Sequence, residues 1–185
     1  MLDLFLYRKS TIMLKRRPLE SEYEGFCKTY IDKTEGDDIC QMLTHQLNDN
    51  LTLYKSLTEE QWNHKYEQGK WSIKDILLHI IDTERVFDYR AMRISRGDST
   101  ALPGFDQDVF AKHAQAESRS SKSLVNEYDA MRRSTILLFE NMSDEACIRK
   151  GQASNLLFTP IGLAFMNAGH ENHHIEILKE RYLNQ

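Results

Sequence analysis

The segment Gly169-His170-Glu171-Asn172-His173-His174, followed by Ile175-Glu176-Ile177-Leu178-Lys179-Glu180-Arg181-Tyr182, has the pattern of a C-terminal helix. His170 and His174 are four residues apart, so on a helix they project from one face on neighbouring turns. Two imidazoles placed this way can hold one metal ion, as in helical HxxxH zinc sites. The plain alternative is a solvated polar helix with incidental histidines. The metal interpretation requires a third ligand from elsewhere in the fold.

His79 is the best candidate for that third ligand. It lies in Trp71-Ser72-Ile73-Lys74-Asp75-Ile76-Leu77-Leu78-His79-Ile80-Ile81-Asp82, where Ser72 and Asp75 come close to a capping box that begins a helix. On that helix His79 lies at the margin of an apolar stripe. A single histidine beside an apolar face is usually a hydrogen-bonded core residue, so its assignment as a ligand depends on its pairing with the HxxxH helix.

Helical periodicity dominates a chain that has only 8 glycines and 3 prolines to interrupt it. It predicts four long helices: residues 37–57, residues 72–96, a third that begins near Ser121, and a fourth that begins with Thr159 as N-cap and Pro160 in its first turn. Strand signals are weak, and 185 residues suit one domain. We therefore expect an all-α four-helix bundle over residues 37–185, preceded by an N-terminal extension and lead-in segment over residues 1–36.

The connection between the second and third predicted helices, residues 97–120, is long for a link between antiparallel neighbours. If it runs the length of the bundle, those helices are parallel and the topology is up-down-down-up. His79 lies about 10 Å from the start of its helix, and His174 lies about 12 Å before Tyr182, near the end of its own. Antiparallel helices place these positions at the same level, so the metal hypothesis and the crossover topology support each other.

The crossover contains Pro103-Gly104-Phe105-Asp106-Gln107-Asp108, in which Phe105 is a large apolar group within a polar linker. We expect Phe105 to be buried against the bundle, with this segment forming a wall of the metal pocket. Asp106 and Asp108 would then be candidates for substrate binding. The alternative is a mobile loop whose carboxylates are solvated.

Bulk properties exclude several classes of function. A net charge of −4 argues against general nucleic-acid binding, which needs a concentrated basic surface. No stretch approaches the ~20 apolar residues of a membrane span. Three widely separated cysteines suit reduced thiols, and the apolar start of the chain lacks the basic region of a signal peptide. We therefore expect a cytoplasmic protein that binds neither nucleic acid nor membranes.

In its motifs the chain resembles the DinB/YfiT-like family of metal-dependent enzymes with an up-down-down-up four-helix bundle. The matching segments are Lys70 to His79, Pro103 to Asp108, and Gly169 to His174 with Glu180-Arg181-Tyr182. The resemblance covers roughly residues 37–183. It implies a divalent metal held by three histidines, which carry over to His79, His170 and His174.

His173 competes with His174, because His170-x-x-His173 is also a usable ligand spacing. The two side chains are about 100° apart around the helix, so they cannot both point at one ion. The family pattern and the level of His79 favour His174, and we expect His173 to pack at a helix interface or to hydrogen-bond nearby. A homodimer is expected from analogy within the family and from the bulky lead-in residues Phe5, Tyr23 and Phe26.

Three neutral imidazoles leave a divalent metal its full charge and at least one open position for a water, a thiolate or a carbonyl. Asp82, one turn after His79, could orient a ligand or act as a catalytic base. Glu171 projects away from the ligand face and is the weaker candidate. Zinc or nickel is favoured as the metal, with manganese or iron as alternatives.

Two classes of function remain open at this point. The first is a metal-dependent enzyme of hydrolase or thiol S-transferase type, acting on a small-molecule substrate such as a low-molecular-weight thiol. The second is a non-catalytic, stress- or damage-associated bundle in which the metal is structural. A fourth protein ligand would favour the structural role, and an open position that faces a pocket would favour the enzyme.

Overall fold

The structure is a computed structural model that describes residues 12–183. Its helices in chain order are α1 (Cys27–Ile31), α2 (Ile39–Ser56), α3 (Glu59–Asn63), α4 (Ile73–Ser95), α5 (Gln107–Ala114), α6 (Ser121–Glu140), α7 (Asp144–Cys147) and α8 (Pro160–Ile177). A π-helical turn, Leu178–Leu183, continues α8, and two short strands, β1 (Gly151–Ala153) and β2 (Leu156–Phe158), precede it. Single 3₁₀ turns occupy Ile12–Leu14, Glu20–Glu22 and Ala116–Ser118.

The four long helices, α2, α4, α6 and α8, begin where the sequence supplies a side-chain cap. At each start a side-chain oxygen accepts a hydrogen bond from a backbone N–H of the first turn; the caps are Asp38, Ser72, Ser120 and Thr159. Ser72 and Asp75 form the complete capping box that the sequence suggests. The predicted helix boundaries agree with the observed ones to within a residue or two.

Cross-helix contacts establish the direction of each helix. Arg132 and Thr135 of α6 pair with Glu84 and Asp88 of α4, so residue numbers rise together and these two helices are parallel. Their connection is the long crossover. The up-down-down-up topology expected from the sequence is therefore confirmed on this side of the bundle.

Two other neighbouring pairs of long helices, α4 with α8 and α2 with α6, are antiparallel. The Tyr182 hydroxyl, just beyond α8, donates to the carbonyl of Trp71, just before α4, whereas His79 of α4 contacts His170 of α8. Similarly, α2 runs opposite to α6, since Gln46 contacts Arg132 while Tyr54 packs on Tyr128. These contacts give the helices the cyclic order α2, α6, α4, α8.

Strands β1 and β2 form an antiparallel hairpin that the sequence did not predict. Each strand has three residues, too few for an alternating pattern to stand out. The turn places Ser154 and Asn155 at φ values of 52° and 63°, the left-handed conformation of a tight hairpin turn. A bridge from Leu102 to Ala153 anchors the start of the crossover to this hairpin.

The lead-in segment packs against the bundle through Tyr23, Cys27 and Ile31, which are buried. Of the residues that motivated a homodimer, Tyr23 is thus used within the chain's own core, Phe26 is exposed, and Phe5 lies outside the described residues. The homodimer stays a prediction. No helix among residues 12–183 combines the length and apolar character that a membrane span requires.

Candidate metal centre

His79, His170 and His174 converge on one point between α4 and α8. The Nε2 atom of His170 lies 3.1 Å from Nε2 of His79 and 3.1 Å from Nε2 of His174. One ring nitrogen from each residue falls within 4.8 Å of the other two. We refer to these three residues as the histidine triad.

The triad is set in the protein interior, which keeps the imidazoles neutral. Burial lowers the pKa of His79 to about 4. Burial, reinforced by His79, lowers the pKa of His174 to about 3. Burial and the neighbouring histidines hold the pKa of His170 well below its ordinary value. At neutral pH all three rings therefore offer a lone pair, as metal ligands must.

The contacts among the rings suit a shared cation better than hydrogen bonding. A neutral ring nitrogen either donates one proton or accepts one, so Nε2 of His170 can hydrogen-bond to only one of its two neighbours. Metal–nitrogen bonds of about 2.0–2.1 Å in tetrahedral geometry would separate ligand nitrogens by about 3.3 Å, close to the observed spacing. The donor set thus fits a divalent metal ion.

The triad has no fourth metal-ligating partner among residues 12–183. The group of histidine, cysteine, aspartate and glutamate side chains that could share one ion there consists of these three histidines alone. Three protein ligands with a further position left for a small molecule are typical of catalytic zinc sites, whereas structural sites are closed by four.

The chain places His170 through a close contact between α1 and α8. A Cβ atom at Gly169 would lie 1.8 Å from the carbonyl oxygen of Tyr30, so only glycine fits there. The Tyr30 ring meets the rings of His170 and His173 edge-on, with centroids 5.4 Å and 5.7 Å away. His173 therefore packs at the interface with α1, as expected, and stands outside the triad.

A small cavity of about 10 Å³, room for about one water molecule, lies between His79 and the crossover. Phe105 and Phe110 of the crossover line this cavity together with Asp82. The expected wall is therefore present, although Phe105 is only half-buried, and the buried anchor of the segment is Leu102. The expectation that Phe105 is buried against the bundle is met only in part, and the bridge from Leu102 to the hairpin also holds the segment in place.

Asp106 and Asp108 do not line this cavity. Asp106 instead caps α5, where its carboxylate accepts from the backbone N–H groups of Asp108 and Val109. Asp108 is exposed in the first turn of that helix. Both carboxylates therefore serve the helix start, and the cavity gives them no contact with a substrate.

Asp82 is the carboxylate at the cavity that has a suitable environment for proton transfer. It is half-buried on α4, one turn after His79, and its nearest cation is Arg85, with Nη1 3.5 Å from Oδ1. Burial raises the pKa of Asp82, and Arg85 opposes that shift. A carboxyl whose pKa is raised is a better base near neutral pH than an ordinary aspartate.

A second buried polar group, which the sequence reasoning missed, lies in the same core. Arg132 donates to both oxygens of Glu84 at 2.7 Å and 2.6 Å, and its Nη1 lies 2.9 Å from Oε2 of Glu171. The side chains of all three have 0% exposure. We call Arg132, Glu84 and Glu171 the ion cluster. Burial alone would lower the pKa of Arg132, but Glu171 and Glu84 raise it well above its ordinary value.

A signal for the ion cluster was present in the sequence. Each member occupies a position of an apolar stripe, where a charged residue is rarely buried without a partner. Glu84 lies four residues after Ile80, Arg132 four residues after Tyr128, and Glu171 three residues after Ala168. Glu171 points away from the triad, as expected, but it is fully buried and not on the helix surface.

Comparisons with known proteins agree with this geometry. The sequence profile of the DinB superfamily matches residues 42–178. YfiT from Bacillus subtilis, whose structure is described as that of "a probable metal-dependent hydrolase with an unusual four-helix bundle topology", has the same fold with a TM-score of 0.66 and 15% identity, over 92% of this chain and 94% of that one. A search of curated protein sequences gives no significant match. With a profile match over most of its length, the chain belongs to the DinB superfamily.

Proposed function

We propose that this protein is a metal-dependent enzyme in which His79, His170 and His174 bind one divalent ion and leave a coordination position open. The observation that carries the proposal is the convergence of three neutral imidazoles, those of His79 and His170 buried and that of His174 half-buried, with no fourth metal-ligating side chain among residues 12–183. The family and the description of YfiT point in the same direction. A closed, four-ligand site would instead have supported a structural metal.

Zinc or nickel is the proposed metal, with manganese or iron as alternatives, because imidazole suits these borderline ions. When bound, such an ion supplies a Lewis acid that polarises a carbonyl, lowers the pKa of a bound water to about 7 and deprotonates a bound thiol. The role of the triad is to hold this charge undiminished, since neutral ligands do not offset it.

Asp82 is proposed as the proton acceptor at the open side of the site. Its position beside His79 and its raised pKa support this role. Arg85 and Glu127 form an ion pair of 2.6 Å next to it, which engages the guanidinium and leaves the Asp82 carboxylate only loosely paired. The cavity that Asp82 and His79 share has a volume of about 10 Å³, room for about one water molecule, which is the group that Asp82 would deprotonate.

The surroundings of His79 are apolar, which favours a small-molecule substrate with an apolar part that contacts this side of the site. Phe105 and Phe110 pack on each other at 5.2 Å and face His79 together with apolar residues: Leu78, Ala111, Ala114 and Ala116. Both reaction types that we consider, hydrolysis of an ester or amide and transfer of a low-molecular-weight thiol, are compatible with such apolar surroundings.

Metal analysis and an activity screen test the proposal together. The purified protein is expected to hold about one divalent ion per chain and to act on ester, amide or thiol-conjugation substrates in a chelator-sensitive way. His170→Ala should abolish both properties. His173→Ala is the matched control, a histidine of the same helix outside the triad, and should retain the metal. Equal metal content in the two variants would contradict the site.

The proposal includes a cytoplasmic homodimer. The free state of Cys27, Cys40 and Cys147 supports a reducing compartment, and the exposed Phe26 supports a contact surface on the lead-in segment. Light scattering at micromolar concentration should give twice the chain mass. A monomer would contradict the dimer without affecting the metal site.

A further inference from the structure

The ion cluster contains more negative than positive charge. Glu84 and Glu171 contribute two carboxylates, Arg132 contributes one guanidinium, and all three side chains have 0% exposure. The other polar group that meets Arg132 is the amide of Gln46, at 3.2 Å, which is neutral. If both glutamates are ionised, one negative charge is left over in the core. Such a charge is costly to bury, because water no longer stabilises it.

The residues that carry this surplus are close to the histidine triad in the chain, although the Glu171 side chain is turned toward Arg132 and away from the triad. Glu171 directly follows His170 on α8. On α4, Glu84 lies five residues after His79. Gln46 connects the two groups. Its side-chain oxygen accepts from Arg132, and its side-chain nitrogen donates to the carbonyl of Ala168, two residues before His170. The two groups of residues therefore share one stretch of the bundle core.

We propose that the surplus carboxylate of the ion cluster, supplied by Glu171, is the counter-charge for a divalent cation in the histidine triad. The inference rests on the proposed metal site. Three neutral imidazoles add no negative charge to a doubly charged ion, so a cation entering the core is stabilised only by charges beyond the ligands. Glu171 supplies one from the residue adjacent to a ligand, without touching the ion.

A purely structural role explains the pairing less well. One glutamate, held bidentately by Arg132, would satisfy the arginine and make a neutral pair. The second carboxylate adds a charge that the folded chain alone does not balance. The counter-charge role gives it a function and makes a distinctive prediction: removing that charge weakens metal binding without weakening the metal-free fold.

Glu171→Gln tests this, because glutamine keeps the size and hydrogen-bonding shape of the side chain and removes only the charge. Zinc affinity is measured by titrating ZnCl₂ against a competing chelator, and the stability of the metal-free protein by urea unfolding. We expect zinc to bind about 10-fold or more weakly in the variant, the scale typical of residues that support metal ligands. The urea midpoint of the metal-free variant should be equal to or above that of the wild type.

Glu176→Gln is the matched control, since Glu176 is a half-exposed carboxylate of the same helix, paired with Lys33. Its zinc affinity should equal that of the wild type. If Glu171→Gln does not fold, Glu84→Gln removes one charge from the same cluster and is expected to show the same loss of affinity.

The outcomes separate this inference from the proposed metal site. Unchanged zinc affinity in Glu171→Gln, with tight binding in the wild type, overturns the counter-charge role and leaves the metal site intact. A weaker affinity accompanied by a lower urea midpoint of the metal-free protein also overturns it, in favour of structural support. If the wild type binds neither zinc nor nickel, the metal site itself is wrong and the inference falls with it.

Discussion

The ion cluster and the histidine triad are both buried polar groups in the core of one bundle, but the chain satisfies them differently. Arg132 and Glu84 meet in a bidentate pair, so the chain itself supplies their partners. In the triad, three nitrogens face one another and a hydrogen bond can serve only one pair. Buried groups that pair with each other stabilise the fold, whereas buried groups whose hydrogen-bonding capacity is left unused point to a bound ligand. Removing Arg132 should therefore destabilise the fold, whereas removing a histidine of the triad should abolish metal binding and leave the metal-free fold stable.

Arg132→Met should give the largest loss of stability. It leaves Glu84 and Glu171 buried without their cation, which costs about 3–5 kcal/mol of the free energy of unfolding. Urea denaturation of the metal-free protein measures this. Arg133→Met is the control, since Arg133 is exposed and pairs with Asp129 at the surface, where such pairs contribute about 0–1 kcal/mol. Similar losses of the free energy of unfolding in Arg132→Met and Arg133→Met would show that the ion cluster contributes no more to stability than a surface ion pair.

Asp88, beside the ion cluster, should make stability depend on pH. Burial, and then the charge of Glu84, raises its pKa from 3.8 to about 7. Between those values the folded state binds a proton that the unfolded state has lost, so this group lowers the free energy of unfolding as the pH rises. Asp88→Asn should therefore stabilise the protein at pH 8 by on the order of 1–4 kcal/mol and have little effect at pH 4.

The difference between wild type and Asp88→Asn isolates this residue from the other titrating groups. Urea midpoints of both proteins across pH 4–8 measure it, with the surface variant Asp129→Asn as control. A constant difference over the whole range would show that Asp88 is ionised throughout.

Zinc should stabilise the wild type, and the triad should be dispensable for the metal-free fold. Free zinc at about 100 times its dissociation constant adds about 2.7 kcal/mol to the free energy of unfolding. His174→Ala should abolish this gain and His173→Ala should keep it. If His174→Ala destabilised the metal-free protein as much as Arg132→Met, the triad would be a folding element and the comparison would fail.

Asp82→Asn should affect turnover alone. Loss of a general base lowers kcat by about 10²-fold or more, while the zinc affinity should stay within a few-fold because Asp82 is not among the converging ligands. The check is kcat, measured on whichever substrate the activity screen identifies, beside a zinc titration. A parallel loss of zinc would instead make Asp82 part of the metal-holding machinery.

Much of this architecture follows from local signals in the sequence. The caps at Ser72 and Thr159 and the helical periodicity of residues 37–57 predict long helices, because capping and periodicity act over a few neighbouring residues. The hairpin was missed because a three-residue strand leaves no periodic pattern. The burial of Glu171 was missed because a carboxylate enters a core only when a partner from another helix meets it, which no single segment reveals.

The sequence by itself determined the helices, their order, and the spacing that puts His170 and His174 on one face, since all of these depend on residues within a few turns of each other. Tertiary structure decided which groups meet across the bundle. It brought His79 to His170, gave Arg132 its two glutamates, and set Leu102 on the hairpin to hold the crossover over the cavity. Such contacts join residues far apart in the chain, so they exist only once the helices have packed.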